Sequence, residues 1–257
     1  MLRQPSVLLL SLGAALGIAL PAAAQERAFN FALRGGVAAV PSYPGADDYM
    51  GAPDLGFTFG SLTWGGRTYG AGIGNIPEPG FAVRGAFKVI GERDDNDNPE
   101  LAGLEDIDMA VEVGIGLVYR ETNWQAFGEV RQGFGGHEGV TGTLGADVIF
   151  RPTDRWTITA GPRLNFGSSE YASTYFGVTP AEAAASSFAA YEADGGLLGA
   201  GFAVEGIYQI NNDWAVQSTL SYERLKNSAA DSPIVQAGSE DQWRISVGLS
   251  RAFTIRF

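Results

Sequence analysis

The last sixteen residues of the chain alternate between apolar and small or polar side chains with a period of two. Apart from Arg251, the odd-numbered positions are all apolar: Trp243, Ile245, Val247, Leu249, Phe253, Ile255 and Phe257. Strands of soluble sandwiches run to about 5–6 residues, whereas a strand that crosses a bilayer needs about 9–11 tilted residues. The segment from Gln242 to Phe257 therefore predicts a membrane-spanning strand whose apolar face contacts lipid.

The same alternation recurs along most of the chain and is clearest between Ile107 and Tyr119. Seven apolar side chains there stay in step on one face, opposite glycines and charged residues. Further strands are predicted at 29–39, 55–59, 67–76, 81–89, 124–134, 140–150, 156–166, 198–210 and 214–222. After the N-terminal segment, no run reaches the ~20 apolar residues of a transmembrane helix. The pattern predicts an all-β fold, a transmembrane antiparallel up-and-down β-barrel.

Two kinds of connection separate the predicted strands. Short turns stand at 121–123, 152–154 and 211–213. Long loops stand at 41–52, 91–104, 168–196 and 227–240. In outer-membrane barrels the short turns face the periplasm and the long loops face outward. The alternation of short and long connections therefore orients the predicted barrel.

The number of strands depends on how residues 54–76 are interpreted. A direct tally gives eleven strands, whereas single-chain bacterial barrels have an even number. Either one strand in this region is not a full span, which gives ten, or one more exists, which gives twelve. We expect 10–12 strands and favour twelve.

One stretch in the 168–196 loop departs from the strand period. Thr179 precedes Pro180, and Glu182 follows three residues after Thr179, ahead of a run of alanines. This is the pattern of a capping box with proline at the first helical position. It predicts a short helix that folds either over or into the mouth of the barrel.

The N-terminus has the organisation of an export signal. Arg3 supplies a positive charge, an apolar segment runs from Val7 to Leu20, and an A-x-A site stands at 22–24. We therefore expect residues 1–24 to be a cleaved signal peptide and residues 25–257 to form the barrel.

Composition narrows the possible functions further. The net charge of −12 becomes −13 when Arg3 is removed with the signal peptide, and such acidity argues against binding to nucleic acid. The chain contains no cysteine, which excludes disulfides and thiolate metal sites. Its 36 glycines occur together with 15 Phe, 9 Tyr and 5 Trp, which fits curved strands with aromatic girdles better than disorder.

The alternation places a set of charged side chains on the inner face of the barrel. The set comprises Arg34, Arg84, Lys88, Asp108, Glu112, Arg120, Glu129, Arg131, Asp147, Arg163, Glu205, Glu223, Arg244 and Arg256. Mixed signs on neighbouring strands predict ion pairs across the lumen and not a ring of one sign. Barrels of about eight strands are filled and those of about sixteen or more leave a channel. A filled, self-paired lumen is favoured here, and a narrow pore is the alternative.

Candidate catalytic and metal sites are sparse. His137 is the only histidine, which excludes a zinc protease motif, and the sequence contains no G-x-S-x-G for a serine hydrolase. We therefore interpret His137 as a loop histidine. Asp94, Asp95 and Asp97 have calcium-like spacing but lack the glycine and distal glutamate of a calcium loop. They are interpreted as a solvated acidic loop.

Five loop motifs occur in order along nearly all of the predicted mature chain. They are PSYPGADDY at 41–49, LAGLEDID at 101–108, GHEG at 136–139, YFGVTPA at 175–181 and AADSPIV at 229–235. In these motifs the chain resembles the MltA-interacting protein (MipA/OmpV) family of outer-membrane proteins. Ala46 departs from the serine common in that family. Arg251 on the lipid face predicts either that its side chain extends to the membrane surface or that the register shifts locally.

The resemblance implies a non-enzymatic protein without cofactors in the outer membrane of a Gram-negative bacterium. The founding member of the family looks like a scaffold between a lytic transglycosylase and a murein synthase, and other members resemble adhesins or porin-like proteins. The expected partners are therefore outer-membrane lipid, these two murein enzymes and the barrel assembly machinery. The C-terminal strand, with Trp243, Phe253 and Phe257, resembles the signal strand for such assembly. A narrow diffusion channel or an adhesin is the alternative.

Overall fold

The computed structural model describes residues 27–257, and the predicted signal peptide lies outside the described residues. Eleven strands form one antiparallel sheet in this part of the chain. They are β1 Ala28–Pro41, β2 Tyr49–Trp64, β3 Arg67–Tyr69, β4 Gly80–Ile90, β5 Ala110–Arg120, β6 Trp124–Gly135, β7 Val140–Thr153, β8 Trp156–Gly167, β9 Gly196–Gln209, β10 Trp214–Leu225 and β11 Asp241–Arg256. The predicted fold class, an antiparallel β-barrel, is confirmed.

Neighbouring strands follow one another along the chain except at one junction. β1 pairs with β11, which joins the two ends of the chain, and the sheet order is β3-β2-β1-β11-β10-β9-β8-β7-β6-β5-β4. All strands but β3 have 11 or more residues and can cross a bilayer. The described chain thus has ten long strands and one of three residues.

The favoured count of twelve strands does not match this structure. The predicted strand at 67–76 stops after Tyr69 because Gly70, Gly72 and Gly74 all have φ between 81° and 91°. Glycine tolerates this left-handed backbone, and no regular strand continues through it. The first of the two alternatives, a strand in this region that is not a full span, is therefore the one observed.

The outer wall of the barrel is apolar and exposed. Phe81, Ile115 and Val148 are 74%, 63% and 64% exposed, which is the arrangement expected of side chains that face lipid. Aromatic pairs stand near both ends of the strands, with ring centroids 5.0 Å apart for Trp156 and Tyr208. These rings form the girdles expected at the two membrane surfaces.

The long loops fold together over one end of the barrel. They contain the helices α1 Ser169–Phe176, α2 Pro180–Ala185, α3 Asn227–Ala230 and α4 Pro233–Ala237, and a 3₁₀ turn at Pro99–Leu101. The predicted capping box is present at α2, where Thr179 and Glu182 bond to each other's backbone. Among the described residues, no helix has the length and apolarity needed to cross a bilayer.

These loops form a cap with its own apolar core. Tyr175, Phe176, Leu101 and Ile234 are almost fully buried in it. The core continues into side chains at the ends of the strands, among them Ile90 of β4. Burial of each large apolar side chain stabilises the fold by about 1.5–3 kcal/mol. The cap, which we define as residues 42–48, 91–109, 136–139, 168–195 and 226–240, therefore sits firmly over the mouth.

Residues 70–79 lie at the opposite end of the barrel, where Ile73 and Gly74 approach inner-face residues, and we call them the floor segment. The Ile73 amide donates to Asn30 Oδ1 at 2.7 Å, and Asn30 lies on the inner face of β1. A Cβ on Gly74 would lie 2.8 Å from Nε2 of Gln209, at the end of β9. β1 and β9 are three strands apart in the sheet, so the floor segment lies inside the short-turn end.

The sheet has two free edges in the described part of the chain. It begins at β3 and ends at β4, and no ladder joins β4 to β2 or to β3 between residues 27 and 257. Since β3 is short, most of β2 lies beside β4 without a ladder, although the two strands approach each other at a few positions. We call this unpaired junction the seam.

Candidate functional site: a charged lumen under a capped mouth

A buried ion pair lies below the cap, on three adjacent strands. Arg131 Nε of β6 is 2.7 Å from Oε2 of Glu112 on β5, and both side chains are almost fully buried. Thr141 of β7 donates to the same oxygen at 2.9 Å. Arg131 also reaches Glu129 Oε1 with Nη1 at 2.6 Å. The cross-strand alternation of β5, β6 and β7 brings these groups together.

His137 closes this cluster from above. Its Nε2 lies 3.4 Å from Glu112 Oε1, and the side chain is fully buried. The rings of Tyr171 and Tyr175 in α1 meet the imidazole edge-on, with centroids 5.0 and 5.5 Å away. Burial lowers the pKa of His137, and the nearby Glu112 carboxylate only partly offsets this effect. His137 lies in a loop as predicted, but its burial was not predicted, because the packing of α1 against it leaves no local signal.

The position of His137 depends on Gly133. A Cβ at residue 133 would collide with all three nearest atoms of the imidazole ring. We expect Gly133→Ala to displace the ring from its pocket and expose it. Diethylpyrocarbonate labelling of tag-free folded protein measures this directly, since His137 is the only histidine. His137 should react slowly in the wild type and several-fold faster in the variant. Equal rates would contradict the prediction, and Gly35→Ala, where the added Cβ meets nothing within 4 Å, is the control.

A second polar group spans the four adjacent strands β5, β6, β7 and β8. Arg163 Nη1 is 2.7 Å from Asp147 Oδ1, and Gln125 Nε2 donates to Asp147 Oδ2 at 2.9 Å. Arg120 Nε in turn donates to Gln125 Oε1 at 3.0 Å. The result is a continuous chain of hydrogen bonds across the inner wall, from a cation through an amide and a carboxylate to a second cation.

One aromatic side chain stands inside the lumen. The ring of Phe127 has the guanidinium of Arg84 at 4.7 Å and that of Arg163 at 4.9 Å from its centroid. Arg84 also lies 3.5 Å from Glu129. Cations favour the faces of aromatic rings at such distances. Phe127 was not among the predicted lumen residues, although its odd number places it on the same inward face of β6 as Gln125 and Glu129.

A third group joins β1, β2 and β11. Asp54, only 3% exposed, lies 3.2 Å from Arg34 Nε and 2.9 Å from Arg244 Nη2. Arg34 also donates to Gln217 Oε1 at 3.2 Å. Asp54 was missing from the predicted set, because β2 was recognised only by its outward Leu55 and Phe57. Their parity places Asp54 inward.

The remaining predicted residues occupy different surroundings. Asp108 is a correction: it is exposed in the cap because β5 begins only at Ala110. It lines a surface cleft of about 310 Å³ together with Arg93 and Glu182. Glu205 and Glu223 lie on the inner parity of β9 and β10, and neither is within ion-pair distance of a basic group among residues 27–257.

The lipid-facing positions of the closing strand are regular. Trp243 and Phe257 are exposed on the outer wall, and Phe253 stacks on Phe31 with centroids 5.5 Å apart. Arg251 pairs with Leu33 in an unshifted register. Its guanidinium lies over the rings of Trp214 and Phe253 at 5.2 and 5.1 Å. A cation placed on aromatic faces accounts for a charge on the lipid side without a register shift.

The cap carries most of the negative charge of the molecule. Its residues include 17 of the 29 acidic side chains but only two of the 17 basic ones, Arg93 and Lys226. Arg93 is buried and donates to the carbonyls of Tyr175 and Glu105 at 3.2 and 3.5 Å. Burial lowers its pKa, and Glu182 opposes this effect. The outward end of the barrel is therefore strongly acidic, with one cation fixed inside it.

These groups link neighbouring strands across the inner wall. The described residues contain no group of three or more His, Cys, Asp or Glu side chains placed to hold a metal ion. The polar side chains under the cap pair mainly with one another. Their main consequence is to hold neighbouring strands in one arrangement.

An apolar outer wall, a lumen of paired charges and a folded cap define a transmembrane β-barrel of the outer membrane. The chain belongs to the family of the MltA-interacting protein MipA, whose model matches residues 33–253. The resemblance seen in the loop motifs and the predicted outer-membrane location are thereby confirmed.

Two relatives are outer membrane proteins of vibrios. Over 90 residues the chain is 36% identical to OmpV of Vibrio cholerae serotype O1 and to Omp26La of Vibrio anguillarum. Each match covers 35% of this chain and 34% of the relative, so the chain spans about a third of their length.

Among solved structures, the chain is similar to an outer membrane channel from Pseudomonas putida F1. The TM-score is 0.44 at 10% identity, over 91% of this chain and 100% of that one. OprG from Pseudomonas aeruginosa gives a TM-score of 0.33 at 12% identity, over 88% and 97% of the two chains.

Proposed function

We propose that this protein is a non-conducting, non-enzymatic scaffold of the cell envelope. Three features support the proposal: the cap over the mouth, the paired charges on the inner wall, and the floor segment at the other end. A barrel built in this way offers its turns, loops and outer surface to protein partners.

The cap supports this proposal because it has a hydrophobic core of its own. Ser232 Oγ donates to the carbonyl of Phe176 at 2.7 Å and ties the loop of α4 to that of α1. Tyr191 Oη donates to the carbonyl of Ser228 at 2.8 Å and makes a second tie. Loops joined by buried contacts open less readily than solvated ones.

The family description points to the class of partner. It refers to interaction with MltA, and the sequence resemblance implies a lytic transglycosylase and a murein synthase as partners. We include both enzymes in the proposal. These enzymes act on peptidoglycan in the periplasm. Contact would therefore be made by the short turns, by the exposed residues Trp64 and Tyr69, and by the exposed Ile76 of the floor segment.

Electrical recording tests the obstruction. Refolded residues 25–257 in a planar bilayer should give no stable single-channel openings. A variant with residues 169–194 and 70–76 each replaced by a short Gly-Ser linker removes part of both obstructions and should conduct. It also verifies that the assay detects an open barrel.

Reproducible openings in the wild type that change when Arg84, Arg131 or Arg163 is neutralised would reject the scaffold and favour a narrow channel. Heat-modifiability on gels establishes that both samples are folded. If the wild type is silent, retention of a lytic transglycosylase and a murein synthase on the immobilised barrel tests the partners. Loss of retention in Trp64→Ala/Ile76→Ala would assign the contact to the periplasmic end.

A further inference from the structure

The seam is built into the topology of the chain. β2 ends at the short-turn end and β4 begins there, so only residues 65–79 are available between them. Two additional spanning strands would need about 9–11 residues each, which is more than this segment contains. Part of the segment is also held across the floor through Asn30. The chain therefore cannot fill the seam with strands of its own from this region.

The inner face of β4 is unevenly covered next to the seam. Ala82, Arg84 and Lys88 are exposed, whereas Ala86 and Ile90 on the same face are buried. In contrast, Glu112 and Val118 on the inner face of neighbouring β5 are 0% and 3% exposed. The difference between adjacent strands indicates that solvent or lipid reaches the lumen at the edge of β4.

Two cations stand on the inner face of β4. Arg84 is 41% exposed, but its guanidinium extends across β5 to Glu129 and Phe127 of β6, away from the seam. Lys88 is the cross-strand neighbour of Glu112, yet no carboxylate lies within ion-pair distance of its amino group among the residues that the structure describes. Lys88 is two residues from the loop end of β4, and Arg84 is about 13 Å deeper at ~3.3 Å per residue.

The membrane side of the seam is apolar. Leu55 and Phe57 of β2 and Phe81, Val83 and Phe87 of β4 are all more than half exposed. The edges of both strands also present backbone N–H and C=O groups without ladder partners in the described chain. Such groups are costly in hydrocarbon unless another molecule supplies hydrogen bonds.

We propose that the seam binds a phosphorylated lipid of the outer leaflet. Lys88 binds the phosphate, because an ammonium group is a usual partner of phosphate in proteins and no carboxylate of the described chain pairs with it. Free N–H groups at the edge of β4 donate to further oxygens of the head group. The acyl chains lie along the apolar rims of β2 and β4. The site is independent of the scaffold function, since it lies in the wall of the barrel.

Native mass spectrometry of the folded full-length mature protein tests the site. Protein in an uncharged detergent is titrated with phosphatidylglycerol, and in parallel with phosphatidylcholine, whose head group is neutral overall. We expect one phosphatidylglycerol to be retained at least fivefold more strongly than phosphatidylcholine. Lys88→Gln should remove most of the preference, whereas Arg84→Gln, which alters a cation held on β6, should keep it. Arg251→Gln, a cation on the lipid face outside the seam, should retain wild-type binding.

Three results would overturn the proposal. Equal retention of the two lipids would exclude phosphate recognition. If Arg251→Gln weakened retention as much as Lys88→Gln, the preference for phosphatidylglycerol would be due to general attraction by positive charge and not to a site at the seam. Displacement of the lipid by inorganic phosphate at equal concentration would show a free-anion site that needs no lipid. Heat-modifiability verifies that each variant is folded. Lys88→Arg keeps the positive charge, so it should bind phosphatidylglycerol as the wild type does if the loss in Lys88→Gln is due to the missing contact with the phosphate.

Discussion

Replacing Glu112 by leucine is expected to lower the free energy of unfolding by about 3–5 kcal/mol, the usual cost of removing one partner of a buried ion pair. Arg131 would keep its contact with Glu129 at 2.6 Å but would lose the carboxylate at 2.7 Å. Thr141 would lose its acceptor as well. The loss is large because these groups are already out of water, and no solvent replaces the missing oxygen.

Urea unfolding in lipid vesicles, followed by tryptophan fluorescence, measures the effect. Glu138→Gln is the matched control, since Glu138 is an exposed carboxylate near the same cluster, and we expect a change within about 0.5 kcal/mol. Glu112→Leu/Arg131→Leu should recover part of the lost stability, because the buried guanidinium is removed as well and Glu129 keeps Arg84 at 3.5 Å. If Glu112→Leu were as stable as Glu138→Gln, the prediction would be wrong, and the ion pair with Glu129 would be sufficient to stabilise the buried Arg131.

The lipid wall was predictable from the sequence because lipid contact imposes one rule on every outward residue. β11 shows this, since its apolar positions from Trp243 to Phe257 keep a single parity over the whole strand. Inward residues follow no such rule. Asp54 and Phe127 both have inward parity, but their partners are set by the register between strands, which a single strand does not reveal.

The cap and the strand number depended on contacts that are distant in the chain. Thr179 and Glu182 predicted α2 correctly, because a capping box involves residues only three positions apart in the sequence. The burial of His137 against Tyr171 and Tyr175 arises from loops more than thirty residues apart, and nothing near position 137 encodes it. β3 was overestimated because its alternation continues past Tyr69 while the glycines that follow turn the backbone away.

Acidification is expected to loosen the cap through His137. Burial lowers the pKa of its imidazole below the ordinary value of 6.5, so the closed cap favours the neutral ring and an opened cap binds the proton more readily. The stability due to this difference is fully present above pH 6.5 and is lost as the pH falls toward the lowered pKa. Glu112 and Glu170 oppose the shift and Lys88 reinforces it. Opening should therefore increase by up to about tenfold per pH unit within this window.

Hydrogen exchange of the α1 amides provides the measurement, because Tyr171 and Tyr175 of this helix pack on the imidazole. After correction for intrinsic exchange rates, protection of α1 in the wild type should fall between about pH 7 and pH 5, where free histidine titrates. His137→Gln cannot take up a proton in this range, so its α1 protection should stay constant. The amides of β10 serve as an internal control, since opening of the cap leaves their ladder intact. The same loss of protection in both proteins would assign the sensitivity to the acidic side chains of the cap and remove His137 from the explanation.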